Sequence, residues 1–207
     1  MMHIMQTTNA QTLATYNAKA QTYIDTSPQY VDGQLKVWID SNLAILSKDA
    51  RILEIGSGTG KDAKYIASKG YSMELTDASQ GFINHLRTEG FEPRLLNAIE
   101  DDLGANYDMI FADAVFLHFT EPELRLVLGK VNAALNPTGR LAFTLKAGEG
   151  EESTTRKMDA PRYFHFWLEE EIRQILQETG FREVTITTDE DFRGEGRPDW
   201  LHITALR

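Results

Sequence analysis

The sequence predicts an α/β fold built on a largely parallel sheet. Short apolar runs of strand type alternate along the chain with amphipathic helical stretches. A glycine-rich turn, Gly56-Ser57-Gly58-Thr59-Gly60, carries the first run straight into a helix. The chain has 207 residues, 42% of them hydrophobic, enough for one sizeable core, and no repeat or low-complexity tract divides it. A single domain is expected, with an N-terminal helical cap over 1–48 and an α/β core over 49–207.

Residues 9–25 read as a helix, with Leu13, Tyr16, Ala20, Tyr23 and Ile24 on one face. Ser27-Pro28 ends it, because a residue before proline avoids the helical region. A second helix fits 32–46 on Leu35, Val37, Trp38, Ile39, Leu43 and Leu46. Arg51–Ile55 is a buried-strand run, and the helix at 61–69 after the glycine turn is closed by Gly70. A second strand, Tyr71–Thr76, ends in Asp77, and the helix after it runs to about Glu89. Arg94–Leu96, ending near Asn97, and Tyr107–Ala112, ending at Asp113, are the third and fourth strands. A helix over 121–135 has Pro122 in its first turn and stops at Asn136-Pro137. Arg140–Leu145 is a fifth strand, and 168–179 a helix closed by Gly180. Arg182–Thr188 and Trp200–Leu206 read as an antiparallel pair joined by a Gly/Pro-rich turn. Residues 147–166 show no clear period and read as a long loop at the carboxyl end of a strand, where open α/β sheets place ligands.

Charge and composition narrow the function classes. Acidic residues outnumber basic ones by 31 to 21, and no Lys/Arg-rich run is present, so a nucleic-acid partner is not expected. Cysteine is absent, which excludes disulfides, thiolate metal sites and cysteine nucleophiles. No metal centre is expected. The opening MMHIMQTTNA lacks a positive flank followed by an apolar core, so it does not read as a secretory signal. The most apolar window, Met109–Phe119, is too short to span a bilayer. The expectation is a cytoplasmic protein that acts without a membrane; its oligomeric state is not legible.

The glycine turn carries the chemistry. Glycines let a backbone turn sharply and approach a ligand, although a tight strand-to-helix turn needs some glycine in any case. A dinucleotide fingerprint needs glycine where Lys61 stands, and a phosphate loop needs Ser or Thr where Asp62 stands. Asp77, at the end of the second strand, can accept hydrogen bonds from a ribose diol or cap the next helix. The acids flanking the turn, Glu54 and Asp62, suit a cationic ligand better than a phosphate.

On these residues the chain resembles the class I S-adenosylmethionine-dependent methyltransferases, from about Tyr16 to the end. Ile52-Leu53-Glu54-Ile55-Gly56-Ser57-Gly58-Thr59-Gly60 is similar to that family's first motif, E/D-x-G-x-G-x-G. Thr76-Asp77-Ala78-Ser79 resembles the second, Leu95-Leu96-Asn97-Ala98 the third, with Asn97 where Asp is more usual, and Tyr107–Ala114 the fourth. Leu135-Asn136-Pro137-Thr138-Gly139 is similar to the turn before the fifth strand, with Thr138 departing from the usual glycine. The resemblance implies a Rossmann-like, seven-stranded, mostly parallel sheet with helices on both faces and the last strand antiparallel. It implies S-adenosylmethionine as cofactor, held through Tyr16, Tyr23, Glu54, Gly56, Ser57, Gly58, Gly60, Asp62, Asp77, Ala78, Asn97, Ala98, Asp113, Ala114 and His118. Lys146-Ala147-Gly148-Glu149-Gly150-Glu151 and Arg162-Tyr163-Phe164 resemble a subgroup acting on small molecules, which makes a small-molecule substrate the expected partner.

Methyl transfer needs alignment above all, and a base only where the acceptor must lose a proton. His118, Tyr163 and His165 are the catalytic candidates, each with packing as the rival role. An NAD-dependent oxidoreductase or epimerase and a non-catalytic, S-adenosylmethionine-binding regulatory protein remain the alternatives.

Overall fold

The computed structural model describes residues 7–190 and 198–207. The first six residues, and most of the expected Gly/Pro-rich turn before Trp200, lie outside the described residues. In chain order the elements are α1 (Thr8–Thr26), α2 (Gly33–Leu43), β1 (Ile52–Ile55), α3 (Lys61–Ser68), β2 (Met73–Asp77), α4 (Gln80–Thr88), β3 (Arg94–Leu95) and β4 (Tyr107–Ala112). A 3₁₀ turn at Phe116–His118 precedes α5 (Glu121–Ala134) and β5 (Leu135–Ala147). Then follow β6 (Glu151–Thr154), β7 (Arg162–Trp167), α6 (Glu169–Glu178), β8 (Arg182–Asp189) and β9 (Trp200–Leu206).

The main sheet has the order β3-β2-β1-β4-β5-β9-β8. Its first five strands are parallel, and β9 runs antiparallel to both β5 and β8. Seven strands with the last antiparallel agree with the expected Rossmann-like sheet. Its central strands are buried on both faces, and their side chains sort by the two-residue period. Leu53, Ile55, Ile110, Leu141, Phe143 and Leu145 pack toward α5 and α6. Ile52, Met109, Phe111 and Ala142 pack toward Trp38, Ile39 and Leu43 of α2 and Ile66 of α3. Within the expected N-terminal cap, α2 therefore joins the core, whereas α1 crosses to α4 and β7.

Two expectations are corrected. Residues 147–166 are not a structureless loop: β6 and β7 form an antiparallel hairpin, and β7 pairs in parallel with Lys146 and Ala147 of β5. β4 stops pairing with β5 at Phe143, so β7 takes over the edge that β4 vacates. The hairpin brings the strands to nine among the described residues. Its period was hidden because β6 is polar and partly exposed, while β7 puts aromatics on both of its faces. The second correction concerns β5, which starts at Leu135 rather than Arg140, immediately after α5. Asn136–Gly139 bulge out between the pairs Tyr107–Leu135 and Met109–Arg140, so proline sits in a strand without breaking its ladder. No helix among the described residues is long and apolar enough to cross a membrane.

Phe143 is fully buried where β5 meets the α5–α6 layer. Phe143→Ala is expected to lower the unfolding free energy by about 3–5 kcal/mol, read from urea denaturation at unchanged slope.

Candidate active site

Strand order reverses between β1 and β4, because the chain passes from β1 to β2 on one side and returns to β4 on the other. Loops leaving the carboxyl ends of such neighbours diverge and open a crevice. The glycine turn forms one wall. Gly56 has φ +73°, and a Cβ there would lie 2.4 Å from Val115 Cγ2, in the turn after β4. Gly60, at φ +75°, starts α3, and a Cβ on it would meet Leu86 at 2.9 Å. Larger residues would push these turns apart.

Asp77 braces this wall from β2. Its Oδ2 accepts the Gly58 N–H at 2.9 Å and its Oδ1 the Ser79 N–H at 2.8 Å. Burial raises its pKa to about 6 against the lowering effect of these donors. Both carboxylate oxygens keep further lone pairs for a ligand.

The crevice is a cavity of about 650 Å³. Of the residues expected to hold a cofactor, Tyr16, Tyr23, Gly56, Ser57, Gly58, Asp62, Asp77, Ala78, Asn97, Ala98, Asp113, Ala114 and His118 line it. Glu54 and Gly60 stand behind the wall. Glu54 points to the same side of β1 as Ile52, where burial and the neighbouring Asp62 push its pKa up. Glu54 is thus a buried acid behind the loop, and its Oε2 lacks a protein hydrogen-bond partner.

Lys61, which the glycine spacing alone did not mark, ties the floor together. Its Nζ reaches Asp62 at 2.7 Å and Asp113 at 2.8 Å. The Thr144 hydroxyl donates to Asp113 Oδ1 and accepts the Ala114 N–H, both at 2.8 Å. Burial acts to raise the Asp113 pKa, but Lys61 and Thr144 outweigh it and hold the carboxyl below its ordinary range. Asp62 stays raised by burial.

The roof is α1, and His118 fastens it. The Tyr163 carbonyl can only accept, so His118 Nδ1 carries the proton and donates at 2.6 Å. His118 Nε2 then accepts the Tyr16 hydroxyl at 2.8 Å, while Arg162 Nη1 donates to that hydroxyl oxygen at 3.2 Å. Further along α1, Thr15 donates to the Pro161 carbonyl at 2.6 Å, and Thr12 accepts the Tyr163 N–H at 3.0 Å. Burial lowers the His118 pKa to about 3. With both ring nitrogens engaged, His118 is a positioning residue rather than a free base.

Tyr163 and His165 do not reach the cavity. Alternation along β7 turns Arg162 and Phe164 toward His118 and sends Tyr163, His165 and Trp167 to the opposite face. There the Tyr163 hydroxyl lies 3.2 Å from His165 Nδ1, and His165 stacks on Trp167 at 3.9 Å. Neither of these two expected catalytic residues lines the cavity that holds His118. Other residues of the cavity wall were not singled out from the sequence: Phe82, Asp32, Asp189, Glu190, Trp200 and His202. Only sheet topology brings the last four to the cavity.

The methyltransferase-domain family model matches residues 29–186. No curated protein matches the chain significantly. Among solved structures, a 1,6-didemethyltoxoflavin-N1-methyltransferase from Burkholderia thailandensis, with its substrate and S-adenosylhomocysteine bound, is similar at TM-score 0.70 and 18% identity. That likeness covers 96% of this chain and 86% of that one. A magnesium protoporphyrin IX methyltransferase from Synechocystis PCC 6803, solved with bound SAM, is similar over 100% of both chains at TM-score 0.71 and 16% identity. A phosphoethanolamine N-methyltransferase 2 from Haemonchus contortus is similar at TM-score 0.75 and 14% identity over 97% of this chain, which spans only 60% of that one.

The depressed pKa of His118 has a thermodynamic signature. Its neutral form stabilises the fold fully above pH about 6.5, and that stability is lost as pH falls from there toward about 3. In His118→Asn, the loss of unfolding free energy between pH 7 and pH 5 is expected to be smaller than in the parent by about 2 kcal/mol. An equal loss in both proteins, measured by urea titration at the two pH values, would show that His118 is not held neutral.

Proposed function

The chain belongs to the methyltransferase-domain family, and from that premise we propose that it transfers a methyl group from S-adenosylmethionine to a small-molecule acceptor. The observation that carries this reading is the glycine wall braced by Asp77 and opening on one cavity of about 650 Å³. That volume has room for a nucleoside and a small acceptor side by side. The residues present fit the cofactor: a close-approach backbone at Gly56 and Gly58, a buried acid with spare lone pairs at Asp77, and acids around its wall. When bound, S-adenosylmethionine supplies a methyl group on a sulfonium whose departure leaves a neutral thioether.

In this reading Gly56, Ser57 and Gly58 bring main chain against the cofactor, with Gly60 setting the start of α3. Asp77 accepts the ribose hydroxyls, with Ala78 beside it. Asn97 and Ala98 meet the adenine edge. Asp62, Asp113 and Ala114, organised by Lys61, face the amino-acid end. Tyr16, Tyr23 and His118 close the roof and exclude water. Catalysis then rests on proximity and alignment, which suits a cavity whose roof histidine is already engaged.

The solved relatives named above act on small molecules, which supports a small acceptor. The net charge of −10 supports a partner other than nucleic acid. The absence of cysteine fits a reducing compartment and supports a cytoplasmic location.

Calorimetry tests the cofactor. S-adenosylmethionine and S-adenosylhomocysteine are expected to bind in the micromolar range, with no binding of NADH. Asp77→Asn should weaken both by about ten-fold or more, the worth of a hydrogen bond to a charged group. Unchanged affinity in that variant, or binding of NADH alone, would overturn the assignment.

A further inference from the structure

The cavity has an end away from the glycine wall. Trp200 and His202 of β9 line it, with Asp189 and Glu190 at the end of β8 and Asp32 just before α2. His202 is only 5% exposed, yet its ring has no hydrogen-bond partner among the described residues. The imidazole lines the cavity, so a ligand group can supply the hydrogen bond that no neighbouring side chain makes. The ring is held in place: it stacks on Trp38 at 5.3 Å and 22°, and its strand neighbours are Thr144 on β5 and Thr187 on β8.

The surroundings set the charge of that ligand. Asp113, beyond β4, and Asp189, on β8, are the charged groups facing His202. Burial nevertheless lowers its pKa and favours the neutral ring with a free lone pair. Asp113 already serves Lys61 and Thr144. Asp32, Asp189 and Glu190 have no ion pair among the described residues. Among the described residues, the lysines of the cavity wall are Lys61, held between two carboxylates, and Lys157, which lies over the Tyr23 ring and donates to Ser27.

We propose that this end of the cavity is the acceptor subsite, and that it takes a small molecule bearing an ammonium group, paired with Asp189 and hydrogen-bonded to His202. The proposal rests on the methyltransferase reading above and names its substrate class. It also predicts discrimination by charge, since anions meet several unpaired carboxylates.

Three probes share one phenol ring and differ in charge: tyramine is cationic, cresol neutral and hydroxyphenylacetate anionic. Each is titrated into protein saturated with S-adenosylhomocysteine. Calorimetry reads affinity, and NMR reads the His202 ring protons, identified by their proximity to the Trp38 ring. Tyramine is expected to bind about ten-fold or more tighter than the other two and to shift the His202 signals. Asp189→Asn should remove most of that preference. Equal affinities, a preference for the anion, or His202 signals that no probe moves would overturn the subsite while leaving the cofactor reading intact. Failure of S-adenosylhomocysteine itself to bind would overturn the cofactor reading, and this proposal with it.

Discussion

A buried carboxylate that accepts two backbone N–H groups holds the turns after β1 and β2 together. Asp77 has little water around it, and its raised pKa measures what burial costs the charged form. The Gly58 and Ser79 amides offset part of that cost, and each ties one turn to the carboxylate. The glycines make this geometry possible because the chain beside Val115 and Leu86 leaves no space for a Cβ. Wall, floor and roof then follow. The β1–α3 turn positions Lys61, Lys61 gathers Asp62 and Asp113, and Ser79 donates to Asn17 on α1 at 3.0 Å.

The roof is attached by aromatic packing and by directed hydrogen bonds together. Tyr16 and Tyr23 of α1 pack on Phe82 of α4 at ring distances of 5.8 and 5.6 Å. Directed bonds add to this: Tyr16 to His118, Thr15 to the Pro161 carbonyl, Thr12 from the Tyr163 amide. The far anchors are Tyr163 of β7, Pro161 just before it, and His118 of the 3₁₀ turn, itself bonded to the Tyr163 carbonyl, so the hairpin at the end of β5 holds the roof. Without that strand, Arg162 and the Tyr163 main chain would not face Tyr16 and His118.

The parts of the molecule that were legible in the sequence are those where one local pattern decides the outcome. β1 and β4 are continuous apolar runs tipped by turns, and both lie where they were expected. Asp77 was legible as either ribose acceptor or helix cap; Ser79 is the N-cap of α4, and Asp77 accepts the Ser79 amide within the turn before it. The hairpin at β6 and β7 was not legible, because β7 pairs with only two residues of β5 and its aromatics follow no single buried face. His118, Tyr163 and His165 all looked like catalytic candidates at strand or loop positions. Placing Tyr163 and His165 required knowing which face of β7 each takes, and placing His118 required knowing which partners its two ring nitrogens meet. Trp200 and His202 carried no local signal. They matter because β9 lies beside β5, a placement set by the whole sheet.

That placement of β9 has a kinetic side. Arg140 pairs with Leu206 and Lys146 with Trp200, partners far apart in the chain, whereas β1 and β2 are joined through one short helix. Loop-closure entropy grows with the length enclosed, so distant pairings are the slow ones. The glycine wall belongs to the local half of the sheet, and the Trp200–His202 wall to the distant half. The two ends of one cavity are therefore assembled by contacts of very different range, and the cradle for the nucleoside can take shape before the wall opposite it exists.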